Sequence, residues 1–173
     1  MLLEIKELEE IMQQHTERLI QLAFYYVKDL QSAEDIVQDV FIKFYDNQQN
    51  YEERGELRAY LSRLVINKSK DYLRSWTYRK IQVQQKIFAK QAVTRRDMLV
   101  QQDEQTLIEN AILALPLKQR EVLIYFYFEE MPVIEIAELL SIPESTVKTR
   151  LRRGRELLKP KLQHIEWEVL LHE

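Results

Sequence analysis

No cysteine occurs in the 173 residues, which excludes disulfides and thiolate-held metals and suits a reducing compartment. Glycine is almost as scarce: Gly55 and Gly154 are the only two, and proline numbers four. So few turn-formers argue against a sheet protein, and no glycine-rich phosphate loop can be built from them. The three histidines, His15, His164 and His172, are scattered and form no HExxH pair, so no metal site is expected. Nor is there a nucleophile-base pairing that would mark an enzyme, and no cofactor or small-molecule substrate is expected. The longest wholly apolar run, VLIYFYF at 122–128, is far shorter than the roughly 18 residues of a membrane-spanning helix. The start, MLLEIKELEE, is acidic and amphipathic and lacks the basic region and cleavage site of a signal peptide. A cytoplasmic protein without direct membrane insertion is expected.

What is present points to helices. Hydrophobic residues make up 46% and charged residues 31%, and the apolar positions recur at helical spacing, so the expected fold class is all-α. Leu19, Leu22, Ala23 and Tyr26 form one such series, and Ile36, Val40, Ile42 and Phe44 another. Ser32, with Asp35 three residues on, predicts an N-cap and a helix starting at Ala33. The segment YEERGELRAY at 51–60 reads as a loop entering a further helix. From Thr77 to Gln105 the apolar face thins and seven glutamines appear, which marks a linker. Regular amphipathicity returns at Leu107 and lasts to Leu162. Two small helical domains, 1–76 and 106–162, are therefore expected, joined by a linker at 77–105 and followed by a tail at 163–173 that fits either helix or strand.

Charge is distributed unevenly. The net charge is −3, yet residues 144–161 carry seven Lys or Arg against Glu144 and Glu156, and residues 66–80 carry five against Asp71. Two basic patches on an acidic chain are the electrostatic footprint of nucleic-acid binding. Around the first patch, VIEIAELLSI, Pro143 and ESTVKTRLRRGRELL read as helix, turn and helix, the second helix capped from Ser141 or Ser145. In that helix Val147, Leu151, Gly154 and Leu158 share one face and should pack inward. Lys148, Thr149, Arg152 and Arg155 are expected on the opposite side, as in a helix-turn-helix whose second helix enters the major groove. Arginine can grip guanine with two parallel hydrogen bonds, and threonine can bond a base or touch a thymine methyl. Lys148, Thr149 and Arg152 are the candidates for bases, and Arg150, Arg153 and Arg155 for phosphates.

In the other patch Tyr72, Trp76 and Tyr78 interleave with Lys68, Lys70, Arg74, Arg79 and Lys80. Rings beside cations can hold unstacked bases, and the same rings can finish a small core. Asp35, Gln38, Asp39 and Ile42 share one helix surface. With no histidine, nucleophile or metal ligand nearby in sequence, this strip suits a protein partner better than catalysis.

Three stretches together resemble a known family. AEDIVQDVFIKFYDN, LRAYLSRLVINKSKDYLRSW and LPLKQREVLIYFYFEEMPVIEIAELLSIPESTVKTRLRRGRELL are similar, in that order, to regions two and four of the extracytoplasmic-function (ECF) sigma factors of the sigma-70 family. The resemblance implies that Asp35, Gln38 and Asp39 bind the largest subunit of core RNA polymerase. It also implies that Asn67, Lys70, Asp71 and Arg74, with the loop Tyr51 to Arg58, capture the minus-ten element, Asn67, Asp71 and Arg74 matching the family's N-x-x-x-D-x-x-R pattern. Region four would read the minus-thirty-five duplex of promoter DNA and touch the second-largest polymerase subunit, and an anti-sigma factor is the implied regulatory partner. The family's linker threads toward the RNA exit path. Three positions depart from the pattern: Ser141 and Pro143 stand where Gly and a capping residue are usual, and Gly154 where Ala is common. A stand-alone helix-turn-helix regulator is the alternative, and it would leave the acidic strip and the aromatic-basic patch without a use.

Overall fold

The computed structural model describes residues 4–48, 57–75, 79–80 and 104–162. Every regular element among them is helical, and the chain divides into two compact units, Met1–Leu99 and Val100–Glu173.

The first unit is a three-helix bundle of α1 (Ile5–Val27), α2 (Leu30–Asp46) and α3 (Leu57–Arg74), each packed on the other two. At the start of α1 the Glu4 N–H donates to Glu7 Oε2 at 3.0 Å, which satisfies one of the helix's orphaned amides. The helix ends at Lys28, whose φ of 60° places it in the left-handed region and reverses the chain. Asp29 then caps α2, its carboxylate accepting the Ser32 N–H at 2.9 Å. The expected start at Ala33 is thus corrected: α2 begins three residues earlier, and Ser32 lies inside it. Aspartate caps as well as serine and comes first in the chain. The Ser32 hydroxyl donates to the same carboxylate and meets the Tyr72 hydroxyl at 2.9 Å, tying α2 to the end of α3.

Leu19, Leu22, Ala23 and Tyr26 are all buried, as their spacing predicts. Ile36, Val40 and Phe44 step by four along α2 and are buried too, whereas Ile42 is 61% exposed. Two residues off that step is about 200° around a helix, so Ile42 cannot join the inward series. On α3 the inner face is Leu61, Val65 and Ile66 with two serines, Ser62 and Ser69. Ser62 is satisfied locally, donating to the Arg58 carbonyl at 3.0 Å and accepting from Arg18 Nη1 at 2.8 Å.

The second unit holds α4 (Glu104–Leu113), α5 (Leu117–Leu123), α6 (Val133–Leu140) and α7 (Glu144–Leu158). Helix α5 runs directly into a π-helical turn at Ile124–Phe128, closed by the Glu129 N–H on the Ile124 carbonyl at 3.1 Å. Within VLIYFYF, Val122, Leu123, Ile124 and Tyr125 form core, while Phe128 is exposed. Buried Arg120 donates through Nη1 to the Leu113 carbonyl at 3.0 Å, satisfying the C-terminus of α4. Among the described residues no helix is long and apolar enough to cross a membrane. Most of the expected linker, the tail at 163–173, Trp76, Tyr78 and the loop from Tyr51 to Glu56 lie outside the described residues.

Candidate nucleic-acid interface

The turn between α6 and α7 is built without glycine. Ser141 takes a φ of 54°, and the Ile142 N–H reaches the Ala137 carbonyl at 3.0 Å while the Ser141 N–H reaches Glu138 at 3.2 Å. This pair of bonds is a Schellman ending, in which a left-handed residue lets the chain turn back over the last helical carbonyls. Pro143 then enters α7 with no side-chain cap, so neither Ser141 nor Ser145 caps the helix. A proline before the first turn needs no donor there and fixes its own φ.

Val147, Leu151, Gly154 and Leu158 form the inner face of α7, all four buried as predicted. Gly154 is a contact residue: a Cβ there would lie 2.8 Å from Leu123 Cδ1 and 3.2 Å from Cγ. The missing side chain lets α7 seat against α5. In this position Val147 and Leu151 anchor the helix, and its outer residues are fixed in direction.

The cations of α7 fall into two groups. Lys148, Arg152 and Arg153 are exposed, and Thr149 is half-buried with its hydroxyl donating to the Ser145 carbonyl at 2.9 Å. Arg152 Nη1 meets Glu156 Oε1 at 3.0 Å, an exposed i,i+4 pair. Lys148 and Arg153 make no ion pair among the described residues. Arg150 and Arg155 differ. Arg150 Nη1 is 3.8 Å from buried Glu121. Arg155 lies over the rings of Phe126 and Tyr127, 5.8 and 5.7 Å from their centroids, and its Nε donates to the Tyr127 hydroxyl at 2.8 Å. The expectation that Arg155 sits opposite the inner face is therefore corrected: a step of four from Leu151 leaves it on the flank, within reach of the π turn. No local pattern reveals this, because the aromatic partner that accepts its hydrogen bond lies 28 residues upstream.

In the first unit Asn67, Asp71 and Arg74 lie exposed along one face of α3 with Lys70 half-buried beside them, opposite the inner serines and valine. Asp71 and Arg74 are 3.7 Å apart and both largely exposed. Tyr72, by contrast, is held by Ser32 at the α2 contact. Asp35, Gln38, Asp39 and Ile42 form an exposed strip on α2, with Asp35 accepting from Gln31 Nε2 at 3.1 Å.

Sequence reasoning missed the link between these two faces. Lys68 Nζ on α3 lies 3.3 Å from Asp39 Oδ2 on α2. Two shallow grooves of about 340 and 350 Å³ lie between the helices, and both are lined by Asp39, Lys68 and Asp71. On α1 the His15 imidazole has a pKa below its usual value, through partial burial and the nearby Arg18 and Arg58.

Comparison with known proteins covers the same two units. Residues 11–77 match the family model for Sigma-70 region 2, and residues 105–158 that for Sigma-70, region 4. Over 167 residues the chain is 31% identical to the ECF RNA polymerase sigma factor SigW of Bacillus subtilis, covering 90% of this chain and 89% of the relative. It is 27% identical over 162 residues to the RNA polymerase sigma-E factor of Streptomyces antibioticus, covering 92% and 87%. Among solved structures it resembles CnrH in complex with the cytosolic domain of CnrY, with a TM-score of 0.62 at 20% identity over 94% of this chain and 92% of that one. It also resembles the sigma factor RpoE in complex with the anti-sigma factor NepR from Bartonella quintana, with a TM-score of 0.64 at 18% identity over 94% and 100%. At that identity the two structures speak for the fold.

Proposed function

We infer the working surfaces of this chain from its family: it belongs to the extracytoplasmic-function RNA polymerase sigma factors of the sigma-70 family. It binds core RNA polymerase and directs promoter-specific initiation, acting in the cytoplasm as an initiation factor rather than an enzyme. Residues 1–76 serve as region two and 106–162 as region four, with 77–105 as the linker and 163–173 as the tail. The strip Asp35, Gln38 and Asp39 docks on the largest polymerase subunit. Asn67, Lys70, Asp71 and Arg74 take the minus-ten element, and α7 enters the major groove of the minus-thirty-five element. Lys148, Thr149 and Arg152 contact bases there. Arg153 grips phosphate with its whole guanidinium, while Arg150 and Arg155 use the donors left over from Glu121 and Tyr127, since arginine carries five. Region four also meets the second-largest subunit, and an anti-sigma factor regulates the chain by covering these surfaces.

The observation that carries this reading is the pairing, in one chain, of an exposed carboxylate strip on α2 with an outward basic face on α7. A stand-alone regulator has no use for the strip. Reconstitution of the purified chain with bacterial core polymerase, and transcription from a genomic-fragment library, tests it. Specific transcripts that need both components are expected. No co-elution with core, together with specific duplex binding by the chain alone, would overturn the reading in favour of a conventional regulator.

A further inference from the structure

We propose that Lys68 is a phosphate contact gated by the polymerase, masked by Asp39 in the free protein and released to the promoter strand once core polymerase takes the Asp39 carboxylate. The proposal rests on the assignment of Asp39 to the polymerase and of the outer face of α3 to DNA.

Lys68 directly follows Asn67 on α3, but it leans away from the outer face to reach Asp39 on α2 at 3.3 Å. The two side chains are 48% and 57% exposed, and a pair so open to water is weak enough for a partner's cation to displace. Asp39 would gain a planar, two-pronged partner if that cation were an arginine, whereas an ammonium offers only a point charge. The lysine's four-carbon stem leaves it free to swing once it is released. Charge explains why the release matters. One groove that holds this pair is lined also by Asp35 and Asp71, so among its described lining residues are three carboxylates and one cation, Lys68. While Lys68 is paired with Asp39, this wall of the α2–α3 groove opposes a nucleic-acid backbone. Neutralising Asp39 from outside leaves an unpaired ammonium one residue from Asn67. Core binding and strand binding then favour each other, because each uses one half of the same ion pair.

The test uses the full-length chain without polymerase and a fluorescent single-stranded oligonucleotide, titrated by anisotropy over a salt series. Asp39→Asn removes the mask, and Asp35→Asn removes an equal charge from the same strip without touching Lys68. Asp39→Asn is expected to bind the strand severalfold more tightly than Asp35→Asn, with a salt slope steeper by about 0.7, the value of one added phosphate contact. Adding Lys68→Gln to Asp39→Asn restores the wild-type net charge and should return both quantities to the wild-type level, while Lys68→Gln alone should cost the wild-type free chain less than it costs Asp39→Asn. Equal binding by the two aspartate variants overturns the proposal, as does a loss on Lys68→Gln that is the same in the wild-type and Asp39→Asn backgrounds. A separate pull-down on core polymerase tests the underlying assignment. Full core affinity in Asp39→Asn would remove Asp39 from the polymerase face and overturn the gating, whatever the free chain shows.

Discussion

Gly154 illustrates how one missing side chain sets the position of a functional helix. Alanine there would gain about 1 kcal/mol of helix propensity, but its Cβ would press on the buried Leu123 side chain at 2.8 and 3.2 Å. Overpacking of that kind costs about 1–3 kcal/mol, so Gly154→Ala is expected to destabilise the second unit by about 1 kcal/mol in chemical denaturation. In a Leu123→Ala background the obstruction is gone and the same change should stabilise, which a double-mutant cycle reads as a reversal of sign. The arginines divide on the same local grounds. Arg155→Ala loses two ring contacts and the bond to Tyr127 and is expected to cost roughly 1–2 kcal/mol of stability. Arg153→Ala should leave stability unchanged, weaken duplex binding across all sequences and lower the salt slope by about 0.9. Arg152→Ala should instead relax preference at one base of the upstream element by about 1–3 kcal/mol of discrimination, and interchangeable promoter profiles for Arg152→Ala and Arg153→Ala would defeat the division between base and phosphate.

Among the elements, the turn from α6 into α7 shows the clearest departure from ordinary chemistry. Ser141 holds a φ of 54° that glycine adopts without penalty. A left-handed non-glycine residue costs roughly 1–2 kcal/mol, and the two bonds from Ser141 and Ile142 back to α6 hold it there. Ser141→Gly is therefore expected to raise the stability of the second unit by about 1 kcal/mol, read as a higher denaturant midpoint at unchanged m-value. The boundaries of α6 and α7 were partly legible in the sequence, because Pro143 breaks a clear amphipathic pattern. The start of α2 was not: Asp29 and Ser32 both satisfy the rules for an N-cap, and the structure shows Asp29 in that role with Ser32 inside the helix. The π turn at Ile124–Phe128 had no sequence signature either, since VLIYFYF is apolar at every phase.

At the scale of the whole molecule, the proposed activity depends on surfaces in both units. Asp39 is exposed and its ion pair with Lys68 is at the surface, so Asp39→Arg should abolish co-elution with core polymerase while leaving the far-UV CD spectrum unchanged. Retained core affinity would take Asp39 out of that interface. The same variant should leave duplex binding by α7 intact, because α2 and α7 belong to different compact units.

Helical class, the two amphipathic segments and the inner face of α7 follow from sequence alone, because a period of 3.6 residues and a shortage of glycine and proline are local properties. Net charge also misled in a way the sequence itself corrects, since its two basic patches are contiguous in the chain. Partnerships across the fold were decided elsewhere. Lys68 with Asp39, Arg150 with Glu121, and Arg155 with the ring of Tyr127 join residues 28 or more positions apart. No periodicity encodes such pairs; helix packing brings them together and determines which cations have partners within the fold and which face solvent unpaired.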